Sequence, residues 1–106
     1  MNVIDLFRIL ILKIDLTHVN LGPAPNYEGL RQQLGLTIDA ALAGPRAGQW
    51  IGGRTKKKKI YLFFKVSDPP KARNFIMRSL DNHGMLGKAK IRIKAKRIKS
   101  RNIAVV

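Results

Sequence analysis

From Lys88 to Lys96 every second residue is basic: Lys88, Lys90, Arg92, Lys94 and Lys96 alternate with Ala89, Ile91, Ile93 and Ala95. Upstream, Lys59-Ile60-Tyr61-Leu62-Phe63-Phe64-Lys65-Val66 alternates in the same way, with Tyr61, Phe63 and Lys65 on one face. Cations at this period can neutralise phosphates, and exposed rings can stack on bases for about 1–3 kcal/mol each. Lys56, Lys57 and Lys58 extend the cationic run just before the aromatic strand. The residues expected to contact a nucleic acid or another anionic partner are therefore Lys56, Lys57, Lys58, Lys59, Tyr61, Phe63, Lys65, Lys88, Lys90, Arg92, Lys94 and Lys96.

The charge is divided unevenly. Residues 1–53 hold Arg8, Lys13, Arg31 and Arg46 against Asp5, Asp15, Glu28 and Asp39, which cancel. Of the 21 Lys and Arg, the other seventeen fall in residues 54–106, opposed only by Asp68 and Asp81, so the whole net charge of +15 lies there. Such a field repels itself and implies a polyanion or an acidic surface as partner.

Catalytic chemistry has little to draw on. There are two histidines, His18 and His83, no cysteine, and six scattered carboxylates that form no acid–base pair. His83 beside Gly84 reads as a helix C-terminal cation. No metal-ligand spacing or phosphate-binding glycine loop occurs. The expectation is a non-enzyme without cofactor or metal. The remaining catalytic alternative is a small ribonuclease pairing a Lys or Arg with His18.

At 106 residues and 45% apolar content, one domain with one core is expected. Residues 1–101 form that domain and 102–106 a C-terminal tail. The start, Met1-Asn2-Val3-Ile4-Asp5, lacks the basic region of a signal peptide, and Ile9–Leu12 is too short to span a membrane. The expectation is a soluble, cytoplasmic chain with no membrane partner.

Elements follow from periodicity and caps. Ile9–Leu16 reads as a central strand, its Leu10, Leu12, Ile14 and Leu16 facing the core and Phe7, Ile9, Ile11 and Lys13 sharing the other face. Asn26 caps a helix in which Tyr27, Leu30, Leu34, Ile38, Ala41 and Leu42 face inward, ending at Gly44-Pro45. Gly29 and Gly35 each cost this helix about 1 kcal/mol relative to alanine, so packing must hold it. Ala47–Gly53 reads as a short edge strand, with Gly52-Gly53-Arg54-Thr55 turning the chain into the strand Lys59–Val66. Asp68-Pro69 opens a second helix, buried at Ala72, Phe75, Ile76 and Leu80 and stopped at Gly84. The last strand is Lys88–Ile98. The order β-α-β-β-α-β predicts an α+β, ferredoxin-like sandwich: four antiparallel strands with two helices on one face.

Residues 59–66 resemble the third-strand signature of the RNA-recognition motif, a basic residue followed by exposed aromatics two apart. Ile60 and Leu62 stand where that family has glycine and a small residue, and Leu6-Phe7 is a loose counterpart of its first-strand signature. The resemblance implies Tyr61 and Phe63 as a stacking pair. A second resemblance covers Gly44 to Ile93: Gly48-Gln49-Trp50-Ile51-Gly52-Gly53, then Tyr61–Val66, then Asp68-Pro69, is similar to small stand-alone ferredoxin-like bacterial proteins, some of them immunity partners of toxins. The leading expectation is a non-catalytic protein whose basic sheet face binds a polyanion, above all RNA or single-stranded DNA. The alternative is an immunity-type inhibitor that neutralises an acidic toxin. A third is a basic subunit of a ribonucleoprotein, docked by Asn102–Val106. A homodimer through the open sheet face is a further possible assembly.

Overall fold

The alternating segments pair into one sheet in the computed structural model, which describes residues 8–82 and 89–97. The elements run β1 (Arg8–Asp15), α1 (Tyr27–Ala43), β2 (Gly48–Lys56), β3 (Lys59–Val66), α2 (Pro69–Asn82) and β4 (Lys90–Arg97). All strand pairs are antiparallel, in the order β2-β3-β1-β4. This is the α+β ferredoxin-like arrangement, with the two most apolar strands, β1 and β3, at the centre. Expectations placed on Leu6-Phe7, His83, Gly84, Lys88 and the tail 102–106 lie outside the described residues.

The core is the product of three periodicities. Leu10, Leu12 and Ile14 from β1, with Leu16 just beyond it, and Ile60, Leu62, Phe64 and Val66 from β3 supply one layer. Leu34, Ile38 and Leu42 from α1 and Ala72, Ile76 and Leu80 from α2 cover it. Both helices therefore lie on the same face, and the opposite face is left open. Burying each of the leucine, isoleucine, valine and phenylalanine side chains contributes roughly 1.5–3 kcal/mol, and the Ala72 methyl less.

Both helix starts are built as their sequences require. Asn26 Oδ1 accepts from Gly29 N at 2.9 Å, and Asp68 Oδ1 accepts from Lys71 N at 3.3 Å, each satisfying a free first-turn amide. α1 ends at Ala43 with Gly44 as its cap, as expected, but Gly44 does not supply the left-handed turn. Gly44 remains in the right-handed helical region at φ −55°, and the left-handed residue is Arg46 at φ 55°. Ala47 N donates to Leu42 O and Arg46 N to Ala43 O, the paired bonds of a helix stop displaced beyond the glycine and proline.

β2 corrects the sequence reading most. Gly52-Gly53-Arg54-Thr55 is not a turn: the strand continues to Lys56, and the hairpin turns on Lys57 and Lys58 alone. The glycines serve a bulge. The register shifts between Trp50 and Gly52, Gly52 takes φ 153°, and a Cβ at Gly53 would collide with the Tyr61 carbonyl. Gly35 has a similar role on α1, where the Trp50 indole lies flush against its bare backbone. Trp50 Nε1 donates to Gly52 O and the Trp50 backbone N to Asp39 Oδ1, both at 2.8 Å, so one residue ties α1, β2 and the bulge together.

β4 is less well covered. Ile91 and Ile93 face the helices half-buried, but Ala95, expected inside, is solvent-exposed on that side. A cleft of ≈ 420 Å³ lies there, lined by Leu10, Pro69, Pro70, Arg73, Asn74, Ile93 and Ala95.

Candidate functional site

The strand registers fix which side chains share the open face. Four cross-sheet rows result, each read from β2 through β3 and β1 to β4. They are Lys56-Lys59-Asp15-Lys90, Arg54-Tyr61-Lys13-Arg92, Gly52-Phe63-Ile11-Lys94 and Gln49-Lys65-Ile9-Lys96. Successive rows are roughly 7 Å apart along a strand and neighbouring strands about 4.8 Å apart. The face carries nine cations and one carboxylate among the described residues.

Its arrangement is a lane between two rails. Lys90, Arg92, Lys94 and Lys96 form the β4 rail, all exposed. Arg54 and Lys56 on β2 form a shorter second one, and Lys59 and Lys65 stand on β3 at either end of the rings, with Lys13 on β1 beside Tyr61. Between the rails lie Tyr61, Phe63, Ile11 and Ile9, all half-buried. They present apolar surface that still reaches solvent. Ile51, the extra residue of the bulge, is half exposed at the end of the Phe63 row.

Tyr61 is already engaged. The Arg54 guanidinium lies 5.1 Å from its ring centroid, a cation–π contact between direct cross-strand partners. The ring and the guanidinium together present a planar, partly cationic surface on the open face.

Asp15 is the one negative group on the face among the described residues. Its Oδ1 accepts from Thr17 N at 3.0 Å and from Thr17 Oγ1 at 2.5 Å. Those bonds hold its pKa below the ordinary carboxylate value, with smaller contributions from the Lys59 and Lys13 charges. Lys13, Asp15, Lys90 and Arg92 line a pocket of ≈ 180 Å³ at this end of the sheet. His18 is exposed in the following turn, and the Asp15 carboxylate is bonded to Thr17 rather than to it. Among the described residues no group of three His, Cys, Asp or Glu side chains could hold a metal ion.

The structure thus brings together Lys56, Lys59, Tyr61, Phe63, Lys65, Lys90, Arg92, Lys94 and Lys96 on one face. Lys57 and Lys58 stand apart in the hairpin turn, exposed at the edge of that face, and Lys88 lies outside the described residues. Arg54, Lys13 and Asp15 join the site without having been singled out as contacts. For Arg54 the lost signal was strand parity, hidden once Gly52-Gly53 was read as a turn. Lys13 and Asp15 were legible as the odd positions of β1.

No helix among the described residues is long and apolar enough to cross a membrane. No protein-family model, curated protein or solved structure matches this chain.

Proposed function

We propose that this protein is a non-catalytic binder of single-stranded nucleic acid, held on the open face of its sheet. The observation that carries the reading is the register itself, which sets Tyr61 and Phe63 between Lys59 and Lys65 along β3, with Arg54 and Lys56 beside them on β2 and the β4 cations across β1. Bases stack on the two rings, and the rails neutralise the phosphates to either side. The face suits a flexible single strand, whose bases can splay onto the lane, better than a duplex whose bases are stacked away.

Self-association through the same face is disfavoured by its charge. Two copies would oppose nine cations and one carboxylate with the same set, at a cost that only bound anions would relieve. The acidic-toxin alternative uses the same rails but gives the rings no stacking role.

The test separates face from total charge. Lys90→Ala with Lys94→Ala removes two cations from the β4 rail. Lys71→Ala with Arg78→Ala removes two exposed cations from α2, on the far side of the sheet. Binding to labelled single-stranded RNA and DNA is followed by anisotropy between about 50 and 200 mM salt. The rail variant is expected to lower the log–log salt slope by about 1.4, at about 0.7 per lost phosphate contact. The helix variant should leave it within error of wild type. Equal effects of the two variants would contradict the reading.

A further inference from the structure

Among the described residues, one carboxylate on a face of nine cations runs against what phosphate binding alone would select. Asp15 stands at the end of β1 with Lys59 and Lys90 as its cross-strand partners, and it lines the pocket shared with Lys13, Lys90 and Arg92. Lys13 separates that pocket from Tyr61, being the direct partner of Tyr61 on one side and of Arg92 on the other, so Asp15 stands one cross-sheet row from the ring and diagonal to it. The carboxylate is fixed rather than free to swing. Both Thr17 bonds land on Oδ1, and Oδ2 receives no hydrogen bond among the described residues.

An acceptor-only oxygen, held one row from an exposed ring and facing a pocket of cations, is suited to base edges rather than to backbone. A carboxylate oxygen accepts from an exocyclic amine, as a carboxylate accepts from N4 of cytosine. It repels the carbonyl that uracil or thymine presents at the same position. The surrounding Lys13, Lys90 and Arg92 supply donors for the ring acceptors that flank the amine. They also hold the neighbouring phosphate, so the carboxylate is not left to repel the strand unaided.

On the reading of this face as a single-strand platform, we infer that Asp15 is a specificity-determining residue that selects a base bearing an exocyclic amine, and rejects uracil or thymine, in the position stacked beside Tyr61. Thr17 is its positioning residue.

The experiment compares short oligocytidylate and oligouridylate of equal length, whose identical backbones cancel the charge term from the affinity ratio. Wild type is expected to bind the cytidylate at least about fivefold more tightly, the lower end of what one good base-edge contact supplies. Asp15→Asn keeps the shape but offers a donor as well as an acceptor. It should bind both oligomers more tightly through the lost negative charge, with the ratio falling to about one. Thr17→Val retains the charge and loosens its aim, and should give an intermediate ratio. It also keeps the inference testable should Asp15→Asn fail to fold. Equal affinities in wild type, or a preference that survives Asp15→Asn, would overturn the role of Asp15 while leaving the platform in place. Failure of both oligomers to bind would overturn the platform and this inference together.

Discussion

Replacing Gly35 with alanine sets two well-characterised effects against each other. In the interior of α1, glycine costs about 1 kcal/mol relative to alanine, so on helix propensity the substitution stabilises. The added methyl, however, would sit closer than 3.0 Å to Cδ2, Cε2 and Cζ2 of Trp50. Those atoms belong to a rigid ring that cannot easily give way, because its Nε1 is bonded to Gly52 O and its own backbone N to Asp39 Oδ1. Overpacking of this kind costs about 1–3 kcal/mol, and the tethered ring places it in the upper half of that range. The expected outcome is a net loss of about 1–2 kcal/mol, or a fall in Tm of roughly 4–15 °C for a domain of this size. The assay is urea denaturation followed by far-UV circular dichroism, which does not depend on the tryptophan. The same substitution in a Trp50→Leu background should stabilise by about 1 kcal/mol, since the obstacle is gone and propensity alone remains. If Gly35→Ala stabilised the wild type, or if the sign did not change between backgrounds, the packing argument would fail. The site shares the consequence. The displaced indole carries the bulge opposite Phe63, so Gly35→Ala should also weaken binding on the lane.

Three further outcomes follow from local geometry. Lys57 and Arg46 hold φ of 56° and 55°, a region that disfavours side chains with a Cβ, so Lys57→Gly and Arg46→Gly should each raise stability by about 1 kcal/mol in denaturant titration. Asn26→Ala removes the acceptor of the Gly29 amide and should cost about 1 kcal/mol by the same assay. Acid should destabilise through two carboxylates. Glu28 is lowered by its bond to Thr55 and then by Arg31, and Asp15 by Thr17. A lowered folded-state pKa contributes stability that is fully present above the ordinary carboxylate value, near about 4, and is lost as pH falls below it. Thr55→Val, which cuts the α1–β2 link through Glu28 Oε1, should flatten the acid limb of a stability–pH profile.

The elements legible in the sequence were those with strong local contrast. The alternation in Lys59–Val66 and Lys90–Lys96 marked strands and their faces at once, because a buried face tolerates no cation. Asn26 and Asp68 marked helix starts, since a cap is a local bond to an amide three residues on. β2 was shortened because Gly52-Gly53 has the same composition in a turn and in a bulge, and only pairing with β3 distinguishes them. Arg54 was lost with it. The reason for Gly35 was invisible for a different cause: it is a contact across two layers, made by a tryptophan on another element. Gly44-Pro45 marked the end of α1 correctly, but the left-handed residue that closes it is Arg46, placed there by the Leu42–Ala47 bond, a detail that composition does not carry.

The central claim is that the rings between the rails hold bases, and it is tested most directly by removing them. Labelled single-stranded RNA and DNA are titrated with wild type and with Tyr61→Ala/Phe63→Ala, with polyglutamate as competitor. Stacking on two rings predicts a loss of about 2–6 kcal/mol in the double variant, with wild-type binding that survives polyglutamate. Binding that is weak, erased by polyglutamate and indifferent to the loss of both rings would contradict the account and point to an acidic protein on the same face.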